Sequence, residues 1–216
     1  MSRIVVFGAG GRAGRYVVTE ALARGHRVTA VLRDPARYGP APEGVTLVAG
    51  DVTREDEVAA AAAGHDAAVN AAARLDVPAG EFFPAAAGAL LAGLARAGVG
   101  RLVLVGIGTA LETAPGVKVH DAPGFPAEYR EFSVGHAAQL DVLRAADTPV
   151  DWVVLAPPPV VLDADAPRTG RYRIGDGTVL PGGDGSASFS YADLAVAIVD
   201  EIETPRRHRV LAAVAG

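Results

Sequence analysis

The feature that most narrows what this chain can fold into is its opening stretch, where an apolar run meets a string of glycines and then a helix. Ile4 to Phe7 is short, continuous and rich in β-branched residues, the pattern of a strand buried on both faces. Glycines follow at Gly8, Gly10, Gly11 and Gly14, and a helical repeat begins at once: Gly14, Val17, Val18, Ala21 and Leu22 fall on one face. Gly25 stands where a left-handed helix C-cap is wanted. A glycine string in strand–turn–helix context is the setting in which backbone approaches a dinucleotide pyrophosphate. Gly8 permits the sharp exit from the strand, Gly10 and Gly11 allow close approach, and Gly14 lets the helix sit down on the sheet. The open N-terminus of the helix, at Arg12, Ala13 and Gly14, aims amide groups and a positive dipole end at phosphate.

Further along, strands are expected at Arg27–Leu32, Val45–Ala49, Ala67–Asn70, Arg101–Val105 and Trp152–Leu155. Between them lie helical patterns over Gly14–Leu22, Glu55–Ala63, Phe82–Ala97 and His136–Ala145. This alternation implies an α/β fold with a doubly wound, Rossmann-type parallel sheet and helices on both faces. The tail departs from it. Arg171–Ile174 and Thr178–Leu180 read as short strands, Ser190-Tyr-Ala-Asp193 as a capping box opening a helix, and His208–Val214 as a last strand. The 216 residues thus suit one domain, with a nucleotide-binding core over about 1–156 and a small substrate-side extension over about 157–216.

Composition excludes several classes. A net charge of −5 lacks the basic footprint of a nucleic-acid binder. The absence of cysteine excludes disulfides, thiol catalysis and thiolate metal sites, and the scattered histidines have no metal-ligand spacing, so no metal site is expected. Ala85–Ala95 is too short to span a membrane, and the start has no long apolar stretch of a signal peptide. A cytoplasmic protein is expected; its oligomeric state is left open.

In an open parallel sheet the ligand lies beyond the carboxyl ends of the strands. The residues there are the glycine turn, Arg33, Asp51-Val52, Asn70-Ala71-Ala72, Gly106 and Pro157. Arg33 bears on the choice of coenzyme. An acid at the end of the second strand holds a ribose diol, whereas an arginine pairs with a 2′-phosphate, so NADP(H) is favoured over NAD(H). Asp34, one residue later and followed by Pro35, fits a helix cap equally well. Asp51 could touch an adenine amino group or simply enter the next helix.

Gly8-Ala-Gly-Gly-Arg-Ala-Gly14 resembles the fingerprint of the atypical short-chain dehydrogenase/reductases. Phe125-Pro-Ala-Glu-Tyr129, Asp151-Trp152, Arg168-Thr-Gly-Arg-Tyr-Arg-Ile-Gly175 and Ser190-Tyr-Ala-Asp193 are similar to the NADH-flavin reductase branch, also described as epimerase/dehydratase-like. The resemblance covers nearly the whole chain. It implies a nicotinamide coenzyme and a flavin, quinone or other conjugated small molecule as substrate. Typical superfamily members carry a serine after the fifth strand and a Tyr-x-x-x-Lys pair. Here Thr109 is the nearby hydroxyl, Tyr129 is followed by Ser133, and the nearby lysine, Lys118, precedes the tyrosine. Thr109, Tyr129 and His136 are therefore the candidate catalytic groups, with His120 a weaker one and His65-Asp66 structural. Phe82, Phe83, Phe125, Tyr129 and Phe132 could line a slot for stacked rings. The stretch from Gly106 to Gly135 reads as a substrate lid, with Val160–Gly185 closing the other side, where Arg168 and Arg171 shape the wall or serve as ion-paired scaffold. Two rivals stand beside the reductase reading: a non-catalytic nucleotide sensor, and an epimerase, dehydratase or cyclase that keeps its nucleotide bound.

Overall fold

A computed structural model describes residues 1–160, 162–181 and 189–216. Its centre is an eight-stranded sheet. The strands are β1 (Arg3–Phe7), β2 (Arg27–Leu32), β3 (Val45–Ala49), β4 (Ala67–Asn70), β5 (Arg101–Val105), β8 (Asp151–Ala156), β9 (Arg173–Ile174) and β10 (Val210–Ala215). Their order is β3-β2-β1-β4-β5-β8-β10-β9. The first seven in that order run parallel, and β9 adds an antiparallel edge through Val214↔Ile174 and Ala215↔Arg173. The order reverses between β1 and β4, where Phe7 is paired with Asn70, so a crevice opens beyond those two strands.

Two helices, α1 (Gly14–Ala23) and α5 (Tyr191–Glu203), cover one face over a core that includes Ile4, Val6, Val17, Leu194 and Ile198. The other face carries α2 (Glu55–Ala62), α3 (Ala79–Ala97) and α4 (Ala127–Ala145), over Phe7, Leu90, Leu94, Leu102, Leu143 and Trp152. Strands buried on both faces explain the near-continuous apolar runs of β1, β5 and β8. The expected doubly wound fold is the observed one.

The stretch between β5 and α4 is more ordered than its glycines and prolines suggested. It holds a hairpin of β6 (Glu112–Ala114) and β7 (Val117–Lys118) flanked by 3₁₀ turns at Gly108–Ala110 and Val119–Asp121. α4 then begins at Ala127, nine residues before the expected start at His136. Gly135 reads as a helix boundary in sequence but lies inside α4, because the helix crosses α3 there at close range. A Cβ on Gly135 would stand 2.4 Å from the Gly80 nitrogen.

The tail is tied into the body of the fold. The hydroxyl of Ser190 accepts the Asp193 N–H at 2.9 Å, the N-terminal half of the expected capping box. The Asp193 carboxylate in turn accepts the N–H groups of Thr169 and Gly170 and the Thr169 hydroxyl. Arg168 pairs through both guanidinium arms with buried Glu20 of α1, at 2.7 and 2.8 Å. Arg168-Thr-Gly170 is therefore scaffold. Of the two short strands expected in this region, the first shrinks to Arg173–Ile174, and Thr178 makes only an isolated bridge with Glu112. Val161 and residues 182–185 of the expected closing wall lie outside the described residues.

Candidate functional site

A cavity of about 630 Å³ opens at the crevice, walled by the ends of β1, β2, β3 and β4 and by Phe82 of α3. Its floor is the glycine turn. Gly8 holds φ +75°, and a Cβ there would lie 2.5 Å from the Ala72 backbone, so only glycine lets the turns after β1 and β4 meet. The Gly11 N–H donates to the Gly8 carbonyl at 2.9 Å, and the Arg15 N–H to the Gly11 carbonyl at 3.2 Å, which closes the turn into α1. Gly14 packs so tightly that a Cβ would meet the Gly8 oxygen at 2.1 Å. Ala13, at the N-cap of α1, offers no side-chain hydrogen bond, leaving the first amides and the positive helix end without a side-chain acceptor from that position.

Beyond the turn, Arg33, Asp34, Asp51 and Val52 stand along one wall, with Ala71, Ala72, Arg74 and Asp76 along the other. Asp34 accepts the Ala36 N–H at 3.2 Å through one carboxylate oxygen and caps the turn Pro35–Arg37. Asp51 accepts the N–H and the hydroxyl of Thr53, at 2.9 and 2.7 Å. Burial pushes its carboxyl up. The two Thr53 bonds and the nearby Arg74 and Arg33 outweigh that and hold it below its ordinary value. Arg74 grips Asp76 with two bonds of 3.0 and 2.6 Å, and Arg33 approaches the same carboxylate at 3.7 Å. Hydrogen bonding to Arg74 draws the Asp76 carboxyl down to about 2.

Of the residues expected from sequence to hold a coenzyme, Gly8, Gly10, Gly11, Arg33, Asp51, Val52, Ala71 and Ala72 line this cavity. Asn70 does not line it; its side chain is buried and accepts the Ala72 N–H at 3.1 Å, shaping the turn beside Gly8. Arg12 is exposed at the start of α1, outside the cavity wall. Gly106 and Pro157 sit at the tops of β5 and β8 as packing elements. A Cβ on Gly106 would meet Val154 at 2.7 Å, and one on Gly108 the Pro157 carbonyl at 2.4 Å.

The candidate catalytic groups are placed differently from one another. Tyr129 is 61% exposed on the first turn of α4. His136 lies inside, stacked at 3.9 Å on Phe83 with its Nε2 3.3 Å from the Val105 carbonyl. Burial drives its pKa down to about 4, so at neutral pH it is an uncharged imidazole donating to a carbonyl. The structure thus puts the expected proton donor His136 in the interior, against Phe83, rather than on the cavity wall. The Thr109 hydroxyl, His120 Nδ1 and His136 Nδ1 are buried without a hydrogen-bond partner among the described residues. Phe83 and Phe132 belong to the interior with His136, Phe125 lies under Arg130, and of the five aromatics expected to form a slot only Phe82 lines the cavity.

Arg74 and Asp76 lie four and six residues past β4, beyond Ala71 and Ala72, the last positions expected from sequence to reach the site. The available signal was a pair of opposite charges two residues apart, just after a buried strand.

These residues fit a dinucleotide: a glycine floor for the diphosphate, an uncapped helix end and cations at the far corner. The NAD(P)H-binding family model matches residues 8–205. The chain belongs to the NAD(P)H-binding family. It is 34% identical to the uncharacterized protein YwnB of Bacillus subtilis over 209 residues, 94% of this chain and 93% of the relative. A solved protein of Burkholderia pseudomallei, described as exported, is 36% identical over the full length of both chains with a TM-score of 0.87. An inferred epimerase of Bacteroides thetaiotaomicron is 30% identical, also at TM-score 0.87, covering 99% of this chain and 96% of the other. No helix among the described residues is long and apolar enough to cross a membrane.

Proposed function

We propose that this family member is an NADPH-dependent reductase of the cytoplasm, passing hydride to a flavin, quinone or another conjugated small molecule. The observation that carries the reading is the convergence of Arg33 and Arg74 on Asp76 at the corner of a glycine-floored cavity. Two guanidinium groups suit a phosphate monoester, and Asp34, the acid just past β2, gives one carboxylate oxygen to its own turn. When bound, the coenzyme supplies hydride. What the protein supplies is position: the Gly8–Gly14 turn seats the diphosphate, Arg33 and Arg74 hold the ribose phosphate, and Phe82 walls off water beside the crevice.

The absence of a Tyr-x-x-x-Lys pair in the sequence favours acceptors that delocalise the charge they receive. A flavin or quinone needs less help from a protein acid than a simple ketone does. Thr109 is the hydroxyl in closest sequence proximity to the top of β5, and its oxygen is buried without a hydrogen-bond partner among the described residues.

The test is turnover of NADPH with a panel of flavins and quinones against simple ketones. Oxidation with the conjugated acceptors and none with ketones is the expected pattern. Coenzyme binding without turnover on any acceptor overturns the reductase reading. The structural likeness to an inferred epimerase favours a second reading, in which product forms with no net NADPH consumption.

A further inference from the structure

The corner proposed for a phosphate already holds an anion. Arg74 makes two bonds to Asp76, at 3.0 and 2.6 Å, the fork geometry an arginine uses on a phosphate ester. Arg33 faces the same carboxylate oxygen at 3.7 Å. All three side chains line the cavity. The two other acids on its wall make no bond to these arginines and use one oxygen each locally: Asp34 Oδ1 caps its own turn and Asp51 Oδ1 accepts from Thr53. Asp76 is thus the wall carboxylate that spends its oxygens on the cavity arginines. It is not held by burial, since its side chain is 59% exposed.

We propose that Asp76 is an internal competitor for the phosphate corner and so a residue that sets coenzyme specificity. The inference rests on the reading of that corner as the seat of a ribose 2′-phosphate. A phosphate monoester carries about two negative charges near neutral pH and a third acceptor oxygen, so it can take both arginines from a singly charged carboxylate. A ribose diol carries no charge and cannot displace Asp76. The competition weakens NADPH, because Arg74 must first be released and the carboxylate then repels the incoming phosphate. It leaves NADH nearly untouched.

The experiment measures NADPH and NADH dissociation constants by calorimetry for the wild type, Asp76→Asn, Arg74→Ala and the double variant. Asp76→Asn keeps the size and removes the charge at an exposed position. The expected result is NADPH binding tightened by about tenfold, the scale of one charge-assisted contact, with NADH changed by less than about twofold. In the Arg74→Ala background, where the contested guanidinium is gone, the gain from Asp76→Asn should shrink to a fraction of that. Three results overturn the proposal: parallel changes for the two coenzymes, weaker NADPH binding in Asp76→Asn, or an undiminished gain without Arg74. A wild type that prefers NADH, while Asp76→Asn still tightens NADPH selectively, leaves Asp76 as competitor and removes the NADPH preference from the proposed function. A wild type that prefers NADPH, with the ratio unmoved in Asp76→Asn, removes Asp76 alone. If neither coenzyme binds, both fall.

Discussion

Arg33 and His136 show how differently two polar residues serve this fold. Arg33 is more than half exposed and its nearest carboxylate is 3.7 Å away, so its charge is available to a ligand. Arg33→Ala is expected to weaken NADPH binding by about 10- to 100-fold and NADH by far less, read as two dissociation constants. His136 is the opposite case. Its folded pKa of about 4 lies below the ordinary histidine value of 6.5, so the unfolded chain binds more protons between those pH values. Stability is therefore full above about pH 6.5 and is lost as pH falls toward 4, by up to about 3 kcal/mol. Denaturant unfolding from pH 7 to pH 4 should show that loss, and His136→Phe should flatten it. An acid limb unchanged in His136→Phe would mean that other groups dominate.

At the level of elements, α3 and α4 meet where Gly135 faces Ala79 and Gly80 with no room for a side chain. Gly135→Val should destabilise the protein by about 1–3 kcal/mol through overpacking, seen as a lower denaturant midpoint at unchanged slope. Gly88, also in α3, faces open space, and Gly88→Ala should be neutral or stabilising by up to about 1 kcal/mol. Asp193 tests the scaffold role of the Arg168-Thr-Gly170 turn. Its carboxylate is buried and accepts three hydrogen bonds from Thr169 and Gly170. Asp193→Ala leaves those donors unpaired and should cost about 2–4 kcal/mol while coenzyme affinity stays within about twofold. A large loss of affinity would place that turn in the site after all.

Across the whole molecule, the cavity and the stabilising charge network occupy opposite ends of the sheet. Buried Arg101, at the start of β5, bonds Glu201 at 2.8 Å and Asp151 at 2.6 Å, and Asp151 also meets His208 at 2.8 Å. This network ties β5, β8, α5 and the approach to β10 together at the end remote from the glycine turn. Removing one partner strands a buried charge, so Glu201→Ala should lower stability by about 3–5 kcal/mol. Coenzyme should act on stability by mass action: at a hundred times its dissociation constant NADPH raises unfolding free energy by about 2.7 kcal/mol, visible as a shifted melting temperature. The same increment in wild type and Glu201→Ala would show the two ends to be energetically independent.

The doubly wound sheet was legible in the residues because its signals are local: β-branched runs, helical repeats and a glycine turn each act over fewer than a dozen positions. For the same reason the tight glycine turn at Gly8, Gly11 and Gly14 could be named in advance. The extent of α4 could not, because Gly135 is a packing contact with a helix some fifty residues earlier, and a glycine reads the same whether it ends a helix or lets two approach. Nor could the fate of His136 or the meeting of Arg33 with Arg74 and Asp76 be read along the chain. Burial and ion pairing depend on which segments fold back on one another, and β2 and β4 come together around that cavity only once β1 lies between them.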